Sequence, residues 1–276
     1  MARLAHNAGQ APARGETLSI GWPLSGVMLV TFERAAERNA LSVAMIDELA
    51  QALAIAQRAR VAVLILTGSG PAFCAGADLK MLAGPDSEFF NSPMALRDRF
   101  LAPLARLFNS FEAMPFPIIA AVNGFALGGG CEMALSADFR ILAKAAVLGL
   151  PEVRLGAIPA TGGVQKLIRH VGRSKALEWI LLGSRITAEE AERRGLVCEI
   201  VEPEQLLESA LVLAGRLIAC GPLALAQAKA SIYVAEDSDL ATATHFGVEA
   251  LTSLAATSEW KEGVTAFVEK RKPRFR

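Results

Sequence analysis

Three consecutive glycines, Gly128–Gly130, constrain the fold of this chain more than any other feature. They follow an apolar stretch, 117–122, that ends in Asn123-Gly124, and they precede an alanine-rich stretch that continues to Asp138. A short apolar run bounded by turn residues predicts a buried strand, and glycines allow a backbone to approach a ligand closely. A strand, a glycine turn and a helix in this order predict an α/β fold with free N–H groups at the helix start, which suits an anion or an oxyanion.

A phosphate is the rival ligand for this glycine turn. Neither of the nucleotide-binding patterns, G-x-x-x-x-G-K-[ST] or G-x-G-x-x-G, occurs in the chain. Because those patterns are what cradle phosphates in nucleotide-binding loops, a nucleotide site is a weak interpretation.

Two carboxylates stand out near such turns. Glu132 follows the glycines directly, and Glu152 lies in the segment 150–156 after a proline. Each has an ordinary explanation, because an acid in the first turn of a helix stabilises the helix dipole and an acid after proline is often a solvated turn residue. Taken singly, neither position indicates catalysis.

A second loop, 68–80, follows the predicted buried strand 61–67 and has small residues at 75–77. Small side chains at the carboxyl end of a strand leave room for a ligand in an open α/β sheet. An ordinary tight turn remains the alternative for this segment.

Periodicity predicts the remaining organisation of the first 201 residues. Two short apolar runs around a Pro-Leu-Ser-Gly turn indicate a hairpin, and Ser42 is placed to cap a helix that runs to about Ala59. Strands are predicted at 18–22, 27–32, 61–67, 117–122, 139–143 and 146–148, the last two as a pair. Helices are predicted at 42–59, 96–111, 162–171 and 174–182.

The pattern changes near the C-terminus. Thr187 and Glu190 form a capping box for a helix that Gly195 ends, and a short strand is predicted at 198–201. Beyond it the segments 204–220, 222–234, 239–256 and 258–270 are all predicted helical. The chain is therefore divided into a flexible arm, 1–15, a core, 16–201, and a helical region, 202–276, whose apolar stripes must pack on another surface.

Composition excludes several classes of function. The 28 basic and 28 acidic residues give a formal net charge of zero, so no overall field favours nucleic acid or an anionic membrane. Four cysteines without C-x-x-C spacing argue against zinc and against a disulfide framework. The N-terminus has no apolar signal region, and the longest uncharged run, 114–131, contains prolines and glycines, so a cytoplasmic, non-membrane protein is expected.

Taken together, these segments resemble the enoyl-CoA hydratase/isomerase (crotonase) superfamily over about residues 16–276. The resemblance is carried by Glu-Arg-Asn-Ala-Leu at 37–41, Ala-Phe-Cys-Ala-Gly-Ala-Asp-Leu-Lys at 72–80, Ala-Val-Asn-Gly-Phe-Ala-Leu-Gly-Gly-Gly-Cys-Glu at 121–132, Pro151-Glu152, Gly-Ala-Ile-Pro-Ala-Thr-Gly-Gly at 156–163, and the segment 261–273. It implies a spiral of ββα repeats, with a helical C-terminal region that forms trimers or dimers of trimers.

The resemblance also implies roles for individual residues. The backbone amides of Ala75 and Gly129 would form an oxyanion hole for a thioester carbonyl, Glu132 would activate water, and Glu152 would deliver a proton to C2. Residues 75–78, which are Ala75, Gly76, Ala77 and Asp78, together with Lys80 and Arg38, would contact the substrate and coenzyme A. No metal or separate cofactor is implied, since coenzyme A is part of the substrate.

Both glutamates are present, which favours a hydratase that converts 2-enoyl-CoA to 3-hydroxyacyl-CoA. Isomerases of the family generally need one acid, and a hydratase-lyase of specialised degradation or an RNA-binding relative without catalysis are further alternatives. Ala160 stands where family hydratases commonly have glycine, and the acyl-pocket walls are expected in the stretch 81–99. Phe267 and Lys270 resemble tail positions that approach coenzyme A in a neighbouring subunit.

Other reactive residues have structural interpretations. Cys74 and Cys131 flank the glycine-lined region and are expected to be buried packing residues. Asp138 is expected to be a buried, hydrogen-bonded acid. The histidines lie in unrelated contexts, which gives little support to a Ser-His-Asp device.

Overall fold

A computed structural model describes residues 13–275 as a mixed α/β protein. The strands are β1 (Ala13–Arg14), β2 (Leu18–Leu24), β3 (Val27–Phe32), β4 (Val63–Gly68), β5 (Ala72–Cys74), β6 (Ile118–Val122), β7 (Phe125–Leu127), β8 (Phe139–Ala143), β9 (Val147–Gly149), β10 (Ile186–Thr187) and β11 (Glu199–Val201). The helices are α1 (Val43–Ala59), α2 (Leu79–Ala83), α3 (Glu88–Asn91), α4 (Pro93–Leu96), α5 (Ala102–Ala113), α6 (Gly129–Ser136), α7 (Gly163–Leu181), α8 (Ala188–Arg193), α9 (Leu206–Ile218), α10 (Pro222–Asp237), α11 (Leu240–Ala255) and α12 (Ser258–Val268).

The strands form two sheets. The larger sheet has seven strands in the order β1-β2-β3-β4-β6-β8-β11, and the smaller has four in the order β10-β9-β7-β5. The larger sheet is parallel from β3 to β11 and antiparallel at the predicted β2–β3 hairpin. Along the chain β4, β6 and β8 enter the larger sheet, whereas β5, β7 and β9 enter the smaller one. This alternation is the spiral of strand pairs that the resemblance predicted.

The central strands are buried on both faces, which explains their continuous apolar sequences. β4 reads Val-Leu-Ile-Leu-Thr-Gly, and every residue of β6, which reads Ile-Ile-Ala-Ala-Val, is buried. Parallel strands covered by helices on both faces have this composition, because no face of theirs meets water. The buried residues of α1, among them Met45, Leu49 and Leu53, belong to the same core.

Local signals place several helix boundaries where the sequence predicts them. The side chain of Ser42 accepts a hydrogen bond from the N–H of Met45 and caps α1, and Thr187 accepts one from the N–H of Glu190 at the start of α8. The helices predicted at 162–171 and 174–182 form one element, α7, broken at Gly172, where φ is 76° and ψ is 164°. Glycine fits this break because the left-handed region carries no steric penalty for it.

Three predictions differ from the structure. The stretches 139–143 and 146–148 do not pair with each other, because β8 lies in the larger sheet and β9 in the smaller one. A short strand, β7, stands between β6 and the glycine run, where the sequence suggested only a turn. The helical segment near 96–111 is longer than predicted, since α4 and α5 are joined through a π-helical turn at Arg97–Leu101.

Most of the predicted N-terminal arm, 1–15, lies outside the described residues. Its last part includes Ala13–Arg14, which pair with β2 in antiparallel fashion at Ile20 and Ser19.

The C-terminal residues are helical, as predicted, and they attach to the core at two places. Three buried residues of α9, Leu206, Ala210 and Ala214, belong to the main core. In α10 the Lys229 Nζ donates to Asp138 Oδ2 at 2.7 Å and to the carbonyl oxygens of Phe111 and Phe116.

Asp138 is the hydrogen-bonded acid that the sequence predicts. It also accepts hydrogen bonds from the N–H of Ile118 at 2.7 Å and the hydroxyl of Tyr233 at 2.9 Å. A charge removed from water needs such partners, so this cluster fixes α10 against the core.

Within residues 13–275, no individual helix combines the length and the apolar composition needed to cross a bilayer. Only the pair Pro203–Ile218 and Pro222–Asp237 meets both conditions jointly, and its members are bent by 105°.

Candidate active site

The two sheets leave a cavity between the loop after β5, the start of α6 and the turn after β9. Its volume is about 430 Å³, and its walls are largely apolar. Of the described residues that line it, only Glu132 and Glu152 are ionisable. The structure therefore brings together the two carboxylates that the sequence singled out.

Glu132 lies in the first turn of α6 and is 3% exposed. Its Oε1 accepts hydrogen bonds from the N–H groups of Thr161 and Gly163, both at 2.8 Å, and its Oε2 accepts one from the hydroxyl of Thr161 at 2.5 Å. Hydrogen bonds of this kind favour the charged form of a carboxyl group. Glu132 therefore has the surroundings of a carboxylate.

Glu152 begins a 3₁₀ turn, Glu152–Leu155, directly after Pro151. Its Oε2 is buried and has no hydrogen-bond partner among the described residues. Burial raises the pKa of Glu152 to about 7; a hydrogen bond from its own backbone N–H opposes this shift, and the negative charge of Glu132 adds to it. Near neutral pH this carboxyl group is therefore able to carry and release a proton.

Both carboxyl groups adjoin the same glycine pair. A Cβ atom placed on Gly128 would lie 3.2 Å from Glu152 Oε1, and one placed on Gly129 would lie 4.0 Å from Glu132 Oε2. Gly128 has a φ of 53° and a ψ of −126°, and its N–H donates to the carbonyl oxygen of Gly149 at the end of β9. This bond ties the turn that carries Glu152 to the helix that carries Glu132.

The hydrogen bonds of the backbone amides near Gly128 and Gly129 require a change to the predicted oxyanion hole. The N–H of Ala75 donates to the carbonyl oxygen of Arg38 at 3.0 Å, so it is not available to a ligand. Two residues later, Ala77 forms an isolated bridge with Leu41, in which Leu41 N–H donates to Gly76 and Asp78 N–H donates to Leu41. The N–H of Ala77 has no acceptor among the described residues, and Ala77 lines the cavity.

The loop that contains Ala77 lies against the start of α6. A Cβ atom placed on Gly76 would be 3.5 Å from the N atom of Gly129 and 2.7 Å from the carbonyl oxygen of Leu127. Only a residue without a side chain permits this approach, and Gly76 also has a φ of 93°. The available amides of the two loops are thus held on one side of the cavity.

The remaining predicted coenzyme A contacts lie outside the cavity wall. Arg38 and Lys80 are exposed, and neither lines the cavity. The carboxylate of Asp78 caps α2 through the N–H groups of Lys80 and Met81 and pairs with Arg34 Nη2 at 2.9 Å. The side chain of Asp78 therefore has a structural function, whereas the small residues 75–77 line the cavity as predicted.

The apolar wall extends beyond the stretch that the sequence suggested. Leu82 and Leu96 come from 81–99, but other wall residues come from the π-helical turn, α5 and the segment after Glu152. These further residues are Phe100, Leu101, Leu104, Leu155, Ala157, Ile158 and Ala160. The apolar periodicity of 96–111 was a signal for the first three, whereas no sequence signal marked Thr161 as a partner of Glu132.

The cysteines near the site are packing residues, as predicted. Cys74 and Cys131 are free thiols within the main core. Burial raises the pKa of both thiols to about 12, so they are neutral at physiological pH. Among residues 13–275, no group of three or more His, Cys, Asp and Glu side chains is arranged to hold a metal ion.

A second cavity, of about 320 Å³, lies between α7 and α10. Four of its charged groups form two ion pairs, Asp138 with Lys229 and Lys166 with Glu112. Among the described residues, no carboxyl oxygen that lines this cavity is buried without a hydrogen-bond partner, in contrast to Glu152 Oε2 in the first one.

Known proteins share both the sequence and the fold of this chain. The sequence model of the enoyl-CoA hydratase/isomerase family matches residues 24–276. A probable mitochondrial enoyl-CoA hydratase of Dictyostelium discoideum is 40% identical over 248 residues, which is 90% of this chain and 86% of that protein. The 2,3-dehydroadipyl-CoA hydratase of Escherichia coli K12 is 40% identical over 251 residues, which is 91% of this chain and 95% of that protein.

A crystal structure of an enoyl-CoA hydratase from Bacillus anthracis superposes with a TM-score of 0.89 at 38% identity, covering 94% of this chain and 99% of that one. Agreement in sequence and in fold over nearly the whole length establishes the relationship. The chain is a member of the enoyl-CoA hydratase/isomerase family.

Proposed function

We propose that this protein hydrates 2-enoyl-CoA thioesters to 3-hydroxyacyl-CoA. The observation that carries the proposal is the contrast between two carboxyl groups in one cavity. Glu132 accepts three hydrogen bonds, whereas Glu152 has an unpartnered buried oxygen and a pKa raised to about 7. Two carboxyl groups whose surroundings differ in this way suit a general base and a general acid.

The thioester carbonyl would lie at the available amides. We assign this role to the N–H groups of Ala77 and Gly129, in place of Ala75, whose N–H is already used by Arg38. Charge moves onto the thioester oxygen as the enolate forms, and each donor in such a hole typically contributes about 2.7–4 kcal/mol in the transition state.

The addition of water then needs two proton transfers. Glu132 removes a proton from water while the oxygen forms a bond to C3, and the electron pair of the C2–C3 double bond moves toward the thioester. Glu152 delivers its proton to C2, so one molecule of water is added in total. The ionised Glu152 and the protonated Glu132 then return to their starting forms by proton exchange.

We expect the apolar wall and the exposed cations to contact different parts of the substrate. Leu96, Phe100 and Leu104 would contact the acyl chain, and Arg38 and Lys80 would meet coenzyme A phosphates at the mouth of the cavity. The small residues Gly76 and Ala77 give the pantetheine arm access to the amides.

The first test is turnover of crotonyl-CoA and longer 2-enoyl-CoA substrates by the purified protein. Hydration removes the conjugated double bond, so the enoyl-thioester absorbance should fall. The variants Glu132→Gln and Glu152→Gln should each lower kcat by about 10²-fold or more, because each removes one general acid–base step. Glu208→Gln, at an exposed position of α9, is the matched control and should leave kcat unchanged.

Two results would overturn the proposal. One is no loss of absorbance with any chain length, and the other is a loss of less than about tenfold in both glutamine variants. Formation of 2-enoyl-CoA from 3-enoyl-CoA, without hydration, would identify an isomerase instead.

We also propose that the C-terminal helices assemble three copies of the chain. The stoichiometry comes from the family resemblance, and exposed apolar side chains on α11 and α12 support an interface there. Leu240 is 84% exposed and Phe267 is 85% exposed, and Val248, Leu251 and Val268 are exposed too. Several exposed apolar side chains on two neighbouring helices support a site of protein association.

A further inference from the structure

The carboxylate of Glu132 is held by a side chain that the proposed reaction does not use. Thr161 is 2% exposed and binds Glu132 twice, through its hydroxyl and through its N–H. The backbone donors of Thr161 and Gly163 exist whatever side chain occupies position 161. The hydroxyl, in contrast, requires threonine or serine, so its contribution can be separated from that of the fold.

The hydroxyl binds the carboxyl oxygen that faces the reacting side. A Cβ atom placed on Gly163 would lie 2.9 Å from Oε1, so Oε1 points toward the start of α7. A Cβ atom placed on Gly129 would lie 4.0 Å from Oε2, so Oε2 is the carboxyl oxygen on the side of Gly129, the residue whose N–H we assign to the carbonyl. The distance of 2.5 Å from Thr161 Oγ1 to Oε2 is in the range of charge-assisted O–H···O⁻ bonds.

A carboxylate oxygen accepts two strong hydrogen bonds, one to each lone pair. Thr161 occupies one acceptor position on Oε2, which leaves the other for a water molecule. The bond also opposes rotation of the carboxyl group about its Cγ–Cδ axis, since both oxygens are then held by donors.

We propose that Thr161 is a positioning residue whose hydroxyl fixes the orientation of the Glu132 carboxyl group and directs the free acceptor site of Oε2 at the reacting water. The inference rests on the proposed hydration and explains why Glu132, rather than Glu152, would act as the base.

The other titratable groups around Glu132 leave this interpretation intact. Glu152 faces it from the 3₁₀ turn, and the thiols of Cys131 on α6 and Cys74 on β5 are neutral because burial raises the pKa of each to about 12. On α7 the ammonium group of Lys166 is paired with Glu112 of α5. Among the described residues that line the cavity, Glu152 is therefore the one other group that titrates.

The test compares Thr161→Val, which removes the hydroxyl at nearly constant shape, with Thr161→Ser, which keeps it. In Thr161→Val we expect kcat to fall about tenfold with KM nearly unchanged, because the carboxyl group loses its fixed orientation while the substrate contacts remain. Thr161→Ser should restore kcat to within about twofold of the wild type. Thr161→Ala serves as a second deletion if the valine variant does not fold.

Ser136→Ala is the matched control. The hydroxyl of Ser136 is buried in the same helix and donates to the backbone carbonyl oxygen of Glu132 at 2.7 Å, so its loss removes a buried hydroxyl without touching the carboxylate. A merely structural role for Thr161 would lower the melting temperature of Thr161→Val and Ser136→Ala alike and leave the kcat of each unchanged. That result would overturn the inference.

A readout on the free protein separates this inference from the proposed function. The Glu132 carboxyl group can be followed by ¹³C NMR of carboxyl-labelled glutamate at constant pH, assigned by comparison with Glu132→Gln. In Thr161→Val its resonance should shift because the hydroxyl donor is lost, and Thr161→Ser should return it; this result holds even if the protein hydrates no enoyl-CoA. Hydration together with an unchanged carboxyl resonance would contradict the role of Thr161 and leave the hydratase proposal intact.

Discussion

The two glutamates of the cavity are chemically identical side chains with opposite surroundings. Glu132 receives its donors from the loop before α7, whereas Glu152 follows a proline and leaves one buried oxygen without a partner. A carboxyl group loses hydration on burial, and only donors that replace the water restore its charged form. The proposed division of roles between a base and an acid therefore rests on the neighbouring groups.

The pH dependence of stability should reveal the state of Glu152. Burial raises its pKa from the ordinary value of 4.5 to about 7, so folding favours the protonated form. Its contribution to stability is then fully present below pH 4.5 and is lost as the pH rises through about 7. Relative to the wild type, Glu152→Gln should thus have a higher melting temperature at pH 8 and a nearly equal one at pH 4.

Calorimetry across this pH range checks the expectation, with Glu208→Gln as a control whose difference from the wild type stays constant. A melting-temperature difference for Glu152→Gln that does not depend on pH would show that the carboxyl group titrates normally in the folded protein.

At the residue scale, the sequence located the two carboxyl groups of the cavity, but it did not identify which backbone amides are free to bind a ligand. Glu132 and Glu152 are identified by their adjacent turns and the family resemblance. The N–H of Ala75 is already bonded to Arg38, and our proposal of Ala77 in its place depends on the pairing of Ala77 with Leu41, which joins segments far apart in the sequence. No local pattern carries that information.

Elements with strong periodicity or a cap were predictable. The β2–β3 hairpin, α1 and the C-terminal helices agree with the structure to within a few residues. The strands β5, β7 and β9 have three residues each, which is too short for an alternating pattern to be recognised, and of the three only β9 was predicted, at 146–148. Their formation depends on one another, since each completes its hydrogen bonds only in the smaller sheet.

The contact between β5 and α6 depends on one glycine. A Cβ atom placed on Gly130 would lie 2.0 Å from the carbonyl oxygen of Cys74, and the backbone there cannot move aside without displacing β5. Gly130→Ala should therefore lower the free energy of unfolding by about 3 kcal/mol and reduce activity, because α6 carries both Gly129 and Glu132.

Gly215→Ala is the matched helical control, since a Cβ atom on Gly215 of α9 would meet nothing within 4 Å. It should raise the free energy of unfolding by about 0.5–1 kcal/mol through helix propensity. Urea denaturation measures both changes, and an equal effect of the two substitutions would contradict the steric argument.

At the scale of the whole molecule, the apolar faces of α11 and α12 remain uncovered in a single chain. Burial of such faces drives association, and a charge placed among them opposes it. The sequence predicted that these stripes need a partner, but it gave no means of locating the interface, because the outward-facing residues are known only once the helices are placed.

Leu251→Arg, on α11, should convert the proposed trimer to a monomer. Sedimentation equilibrium should give three times the chain mass of 29.2 kDa for the wild type and a single chain mass for the variant. Leu24→Arg, at the end of β2, is the control and should leave the mass unchanged. A wild-type protein that sediments as a monomer would overturn the trimer.

The ion pair between Lys229 and Asp138 predicts how a shortened form of the protein would behave. Asp138 follows two residues after Ser136, where α6 ends, and the first turn of α6 carries Glu132. A gene shortened before α10 would encode a core in which this nearly buried carboxylate has lost its cation, and an orphaned charge of that kind costs about 3–5 kcal/mol. A chain that ends before α10 should therefore be much less stable than the full-length chain, because the far end of α6 depends on a cation from the helical region.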